Sequence, residues 1–314
     1  MPSLINTPTR EQRGTVTDSS RWAGFKPREG DIIVATYPKC GTTWTQRIVD
    51  LLINQSPAPR QFMHASPWID ATIFGPVEAM FDTIEAQTHR RCVKTHLPLS
   101  AFPVFEGTKV IHTVRDGRDA CISMHNHMLG MRREIFAAAA QGAPGAAMPP
   151  PTPEDPRQHF LQWMAQAEAY ADGAPGDLPF CEFEESYWRR RAEPWLLFVH
   201  YADLKADLAG EMRRIGDFLG IKTPEALWPA LVQAATFETM KRQGEEMMPE
   251  LSMAFDRGAD RFIFRGVNGR WKDFLTPEDL ARYDALIARK LSPALAGWIE
   301  HGRLAAGDPQ TLAD

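Results

Sequence analysis

A chain of 314 residues, 44% hydrophobic and 24% charged, has the make-up of a globular protein with ample apolar residues for a core. Its formal charge of −5 argues against a general nucleic-acid binder, although local basic pockets survive that averaging. No run reaches the roughly 18 apolar residues of a bilayer-spanning helix. The polar start of the chain holds no signal-peptide apolar core, so a cytoplasmic protein without a membrane span is expected.

Residues 1–20 read as a polar N-terminal arm. The run DIIVATY at 31–37 is short, apolar and β-branched, which predicts a buried strand. PKCGTTW at 38–44 breaks it, and Trp44, Ile48, Leu51 and Leu52 then recur at helical spacing, giving strand, loop, helix. RCVKT at 91–95, TKVIHTV at 108–114 and WLLFVH at 195–200 read as further strands. A helix is expected after 115–119, with Asp119 near its N-cap, and an amphipathic helix carries Met212, Ile215, Phe218 and Leu219 up to a stop at Gly220. Residues 130–156, rich in Ala, Pro and Gly, read as a flexible insertion, either a lid over a site or plain disorder. The predicted organisation is one α/β domain over 21–302, with a central, mainly parallel sheet flanked by helices, and a tail at 303–314. Ligands of such sheets sit beyond the carboxyl ends of the strands, so the loops after these strands share one rim.

Cys40, Cys92, Cys121 and Cys181 are spread along the chain with no CxxC pair, which points to reduced thiols rather than a zinc site; no metal is expected. The loop at 38–44 carries more chemistry. A glycine loop between a strand and a helix turns backbone N–H groups and a helix N-terminus toward an anion. Lys39 adds a charge, and Thr42 and Thr43 add hydroxyls. No G-x-x-x-x-G-K-[ST] run exists, so the magnesium-holding arrangement of triphosphate loops is missing. That combination suggests a phosphate-bearing donor handled without an obligatory metal, while a bare Gly-Thr-Thr is as readily an ordinary turn.

The run TYPKCGTTW at 36–44 closely resembles the 5′-phosphosulfate loop of the cytosolic-type sulfotransferases, which more often carry Ser where Cys40 stands. KTHLP at 94–98 resembles the segment with that family's catalytic His, and VRDGRDACIS at 114–123 resembles its 3′-phosphate segment. FRGVNGRWK at 264–272 resembles the family's C-terminal R-K-G-x-x-G-D-W-K loop, and HYADLK at 200–205 and TFETM at 236–240 are weaker matches. The resemblance runs from about residue 22 to about residue 276, with its motifs in family order.

The resemblance implies a P-loop-like fold and sulfuryl transfer from 3′-phosphoadenosine 5′-phosphosulfate (PAPS) to a hydroxyl or amine of a small acceptor, leaving 3′-phosphoadenosine 5′-phosphate (PAP). It makes His96 the general base, although by composition alone His112, His125, His127 and His200 are equal candidates. Lys39 is then set at the departing phosphate, and Lys94, on the same face as His96 in an extended segment, at the transferring sulfuryl oxygens. Cys40, Gly41, Thr42 and Thr43 hold the 5′-phosphate, and Arg115, Ser123, Arg265 and Gly266 the 3′-phosphate. Phe264 stands where the family has Arg, and Arg270 where it has Asp, a partial compensation. Trp44 and Phe237 are placed as stacking surfaces for adenine, with Tyr201 and Thr236 beside it; without the resemblance the two stacking residues read as core. Arg118 reads as a surface or structural ion-pair residue. The acceptor pocket falls on 62–81, 130–156, 158–170 and 243–255, where Trp68, Phe74, Met80, Trp163 and Met253 are either pocket or core. Half of the family's dimer signature is present, Lys272 and Thr276, which leaves the oligomeric state open. The rival readings are a P-loop kinase of small metabolites and a non-catalytic nucleotide-binding module.

Overall fold

The computed structural model describes residues 2–135 and 150–314. Six strands lie among them: β1 (Leu4–Asn6), β2 (Ile32–Ala35), β3 (Cys92–Thr95), β4 (Val104–Phe105), β5 (Lys109–Val114) and β6 (Leu196–His200). β1 and β4 form a short antiparallel pair, and the other four form one parallel sheet in the order β3-β2-β5-β6. The expected α/β architecture is present, with the four strands of the parallel sheet within a few residues of their predicted places; β1, inside the segment read as a polar arm, and β4 were not expected.

Alternation along the strands explains why the sheet is covered on both faces. Ile33, Ala35, Val93, Val110, Leu196 and Phe198 enter one apolar core, while Ile32, Val34, Cys92, Ile111 and Val199 enter another. The helix Thr42–Asn54 presents Ile48, Leu51 and Leu52 to the second core, where Met212, Ile215 and Leu219 of the helix Leu208–Leu219 join them. Leu51 is fully buried there, and its truncation to Ala would cost about 2–5 kcal/mol. Gly220 ends the second helix at φ 67°, the left-handed conformation that glycine enters without a Cβ penalty.

The order β3-β2-β5 makes β2 the switch point: the chain leaves β2 to one side for β3, then crosses to the other side for β5. Such a point opens a crevice at the carboxyl rim. The loop after β2, residues 96–98 after β3, Arg115 after β5 and Tyr201 after β6 all meet on that rim.

Both ends of the chain are laid against the domain. The Asn6 amide donates to Leu99 O and Phe102 O at 2.9 and 3.0 Å, and Gln12 and Thr17 donate to Asp177. At the other end Trp188 Nε1–H donates to Asp314 Oδ1 at 2.7 Å. All four cysteines are free and buried. Among the described residues no helix is long and apolar enough to cross a membrane. The insertion read at 130–156 falls between the helices Gly117–Gly130 and Pro156–Ala169, and its residues 136–149 lie outside the described residues.

Candidate active site

The loop after β2 is shaped by two positive φ angles, Lys39 at 70° and Gly41 at 111°. A lysine in the left-handed region is unusual, and such outliers concentrate where a loop holds a ligand. Gly41 is the N-cap of the helix Thr42–Asn54 and brings no capping side chain, so the first N–H groups of that helix stay free to meet an anion. A Cβ on Gly41 would stand 3.0 Å from the Tyr201 ring, so the loop must pass tightly under it. Thr36 and Thr42 share a hydroxyl hydrogen bond at 2.5 Å, and Thr45 reaches Thr113 at 2.7 Å, which ties the loop to β2 and β5. The Cys40 side chain points the other way, fully buried in the core. Only its backbone belongs to the loop, which is why Cys and Ser are interchangeable there.

One cavity of about 910 Å3 joins these elements. Lys39, Gly41, Thr42, Thr43, Trp44, Lys94, His96, Arg115, Ser123, Tyr201, Phe237, Arg265 and Gly266 all line it. Thr236 does not. Its hydroxyl caps the helix Phe237–Arg242 by accepting Thr239 N–H, so it acts on the cavity only by placing Phe237.

His96 is oriented from behind. Its Nδ1–H donates to Thr36 O at 2.8 Å, which fixes the tautomer and leaves Nε2 with a lone pair. Its backbone N–H donates to the buried Asp70 carboxylate at 3.2 Å, and its ring meets Trp68 edge-on at 4.8 Å. Burial first, and then Lys94, hold the imidazole well below its usual range, so it stays neutral at physiological pH. Lys94 Nζ lies 4.4 Å from the centre of the Trp68 ring. Burial draws that lysine down to about 8, with Asp70 and Glu250 opposing. Lys39 is drawn down to about 7, by burial and then by Arg115 and Lys94. Lys39, Lys94 and Arg115 line one space and none of them is ion-paired to a described carboxylate, an arrangement suited to a polyanion.

The opposite end is organised around Arg115, whose Nε–H donates to Asn268 Oδ1 at 3.1 Å and whose NH2 donates to Val267 O at 2.8 Å. Its guanidinium also lies over the Tyr201 ring, 4.3 Å from the centre. Asp116, rather than Asp119, caps the following helix; Asp119 accepts Gly269 N–H and fastens the 264–272 loop. At Gly266, with φ 61°, a Cβ would meet the Phe237 ring at 2.4 Å, so only glycine lets the loop cover that ring. Two cations stand around Phe264. Arg265 and Arg270 stand 5.1 and 5.0 Å from its ring centre, and both line the cavity. Lys205 lines it as well, donating to Gly266 O at 2.6 Å. Trp44 meets Tyr201 edge-on at 5.3 Å and donates from Nε1 to Ala235 O at 2.8 Å, so it is oriented rather than merely packed.

The remaining histidines separate cleanly. His112 is bonded to Glu184 in the core at 2.8 Å, His200 to Ile299 O at 2.8 Å and His125 to Pro153 O at 2.9 Å. His127 reaches the cavity: its Nδ1 stands 3.3 Å from Lys39 Nζ, between the Phe255 and Phe262 rings. Composition made it one of several equal histidines; its spacing of four from Ser123 in a helix, which puts both on one face, is the signal by which the sequence could have singled it out. Arg118 is ion-paired with Asp116 and Glu300, as expected. Of the apolar residues read as pocket or core, Trp68, Phe74, Trp163 and Met253 line the cavity, while Met80 is core. Thr276 serves as the N-cap in the capping box of the helix Pro277–Lys290.

A parallel α/β sheet with an anion-cradling loop at its switch point, and a base beside it in one cavity, is the architecture of a group-transfer enzyme. Residues 29–294 match the sulfotransferase domain family. The chain belongs to that family and is a sulfotransferase. It is 34% identical over 312 residues to a glycolipid sulfotransferase of Mycobacterium bovis, covering 93% of this chain and 94% of the relative. Sulfotransferase 1B1 of the dog is 26% identical, covering 85% of this chain and 86% of the relative. Among solved structures, a mouse sulfotransferase complexed with PAP superposes with a TM-score of 0.67 at 19% identity, covering 94% of this chain and 97% of the other. Retinol dehydratase in a complex with retinol and PAP superposes at 0.66 with 24% identity, covering 88% and 85%. These structures share the fold. The kinase and non-catalytic readings are not favoured.

Proposed function

We propose that the protein transfers the sulfuryl group of PAPS to a hydroxyl or amine of an amphiphilic acceptor, with His96 as general base and Lys39 and Lys94 as the catalytic cations. The observation that carries this reading is the commitment of His96 Nδ1 to Thr36 O, which leaves Nε2 as a proton acceptor in a cavity shared with both lysines. The acceptor oxygen attacks sulfur, its proton passes to Nε2, and the bond from sulfur to the bridging phosphate oxygen breaks. The electron pair stays on the departing phosphate, where Lys39 neutralises it.

The donor's two phosphate ends have separate cradles. Gly41 and Gly266 let the backbone pass close against the Tyr201 and Phe237 rings, where a Cβ would crowd them, next to Thr42 and Thr43 at one end and Arg115, Ser123, Arg265 and Arg270 at the other. Trp44, Tyr201 and Phe237 offer the flat surfaces for adenine between them. With the charge supplied by side chains, the transfer needs no divalent metal. Methionines and aromatic rings on the acceptor side fit a large apolar group, and the mycobacterial relatives are named for glycolipids. Four unpaired buried thiols support a reducing, cytoplasmic setting. The test is transfer from labelled PAPS across a panel of amphiphilic alcohols with EDTA present; a protein that binds PAP yet labels no acceptor, or one that EDTA silences, would contradict it.

A further inference from the structure

The cavity contains one carboxylate without a task. Asp119, Asp177 and Glu250 are its acidic lining residues. Asp119 accepts Gly269 N–H, and Asp177 accepts from Gln12, Thr15 N–H and Thr17, so both are spoken for. Glu250 is hydrogen-bonded only by its own backbone N–H, and no salt bridge joins it to any other described residue. It stands half-buried in an apolar wall, with Met248 and Leu251 beside it in the sequence and in the lining. It lines the same cavity as Lys94 and His96, and the charges of Lys94 and then His64 act on it.

An acceptor that fills this space removes water from Glu250, and a dry carboxylate without a donor is costly. Lys94 does not relieve it, because the two form no ion pair and Lys94 faces the sulfuryl position beside Trp68. The donor therefore has to come from the acceptor. An ammonium group is disfavoured, since the positive charge of Lys94 already acts on Glu250 and would oppose it. A neutral hydroxyl meets both conditions. We propose that Glu250 accepts a hydrogen bond from a second hydroxyl of the acceptor, so that the enzyme selects amphiphiles with a polyhydroxy head over simple alcohols and phenols. This specificity role rests on the sulfuryl-transfer reading above.

The experiment uses the full chain loaded with PAP and three matched probes: a long-chain alkanol, the vicinal alkanediol of the same length and the corresponding amino-alcohol. Binding is followed by calorimetry, and kcat/KM for each probe with PAPS. The diol is expected to bind the wild type about tenfold more tightly than the alkanol, as a hydrogen bond to a charged group implies. Glu250→Ala brings that ratio close to one, and the isosteric Glu250→Gln, whose amide oxygen still accepts, keeps part of it. Equal binding of diol and alkanol to the wild type overturns the proposal, as does a preference that survives Glu250→Ala. Tightest binding of the amino-alcohol overturns it by making Glu250 an ion-pair site. If Glu250 acts only through Lys94, both probes change turnover by one factor and the ratio stays put, which also refutes it. Failure to bind PAP at all is a different result, and removes the sulfuryl-transfer reading itself.

Discussion

The two walls of the cavity are made of different material. The wall carrying Lys39, Lys94, His96 and Arg115 is the carboxyl rim of the sheet, whose β2 residues are all buried and hydrogen-bonded on both sides. The facing wall is a series of short helices, Phe237–Arg242, Gly244–Met247, Leu251–Ala254 and Gly258–Phe262. These pack into a small core of their own around Met240, Met247, Met248 and Phe255. Proton and group transfer tolerate little misplacement, so the reacting groups stand on the part of the fold with the least freedom. Acceptor binding needs adaptable apolar surface, which unbranched methionine supplies.

That division can be broken in several ways, beginning with the largest effect. His96→Ala should lower turnover by about 10²–10⁴-fold, the range for removal of a general base, while PAP binds within about twofold of wild type. Parallel loss of PAP affinity would mean that His96 shapes the donor site instead.

Protonation of the rim wall gives the next effect. With Lys39 near 7 and Lys94 near 8 in the free protein, bound phosphate charge stabilises the protonated lysines and raises both values. Below about pH 7 both already carry their proton, so PAP affinity should be flat. As pH rises past that point binding must take up a proton, and affinity should fall by up to about tenfold per unit for each lysine. Calorimetry in two buffers of different ionisation enthalpy would show the uptake, and Lys39→Met should remove its lower-pH part. Turnover should not fall with His96 on the acid side until well below its ordinary value of 6.5, because burial depresses that group.

Arg270→Ala tests whether the 3′-phosphate end has regained the charge missing at Phe264. It should weaken PAP about tenfold and leave adenosine 5′-phosphate, which lacks the 3′-phosphate, nearly unaffected. Equal weakening of both nucleotides would assign Arg270 to loop structure. The smallest effect belongs to the adaptable wall: Met248→Leu should change the acceptor KM by no more than about threefold, with PAP affinity unchanged.

Much of the rim wall was legible in order along the chain, since strand, loop and helix are encoded locally. The family resemblance of the 36–44 run placed Lys39, Gly41, Thr42, Thr43 and Trp44, and two-residue spacing put Lys94 and His96 on one side of an extended segment. Thr236 and Cys40 were read as cofactor contacts because they lie within such runs, whereas one caps a helix and the other faces the core. The adaptable wall was legible only as a region. Met80 and Met253 look alike in composition, yet one is core and the other is 72% exposed at the cavity mouth.

By itself the sequence determined the parallel sheet, the phosphate loop and the family's chemistry, because each depends on residues a few positions apart. Only the tertiary structure decided which histidine faces the donor site, because that depends on Thr36 behind His96 and on Glu184 holding His112 in the core. It also decided that Arg265 and Arg270 flank Phe264, that His127 meets Lys39, and that Glu250 and Lys94 line one cavity. The histidine contacts among these join residues 60, 72 and 88 positions apart, and burial and charge at those places are properties of the packed chain that no local spacing records.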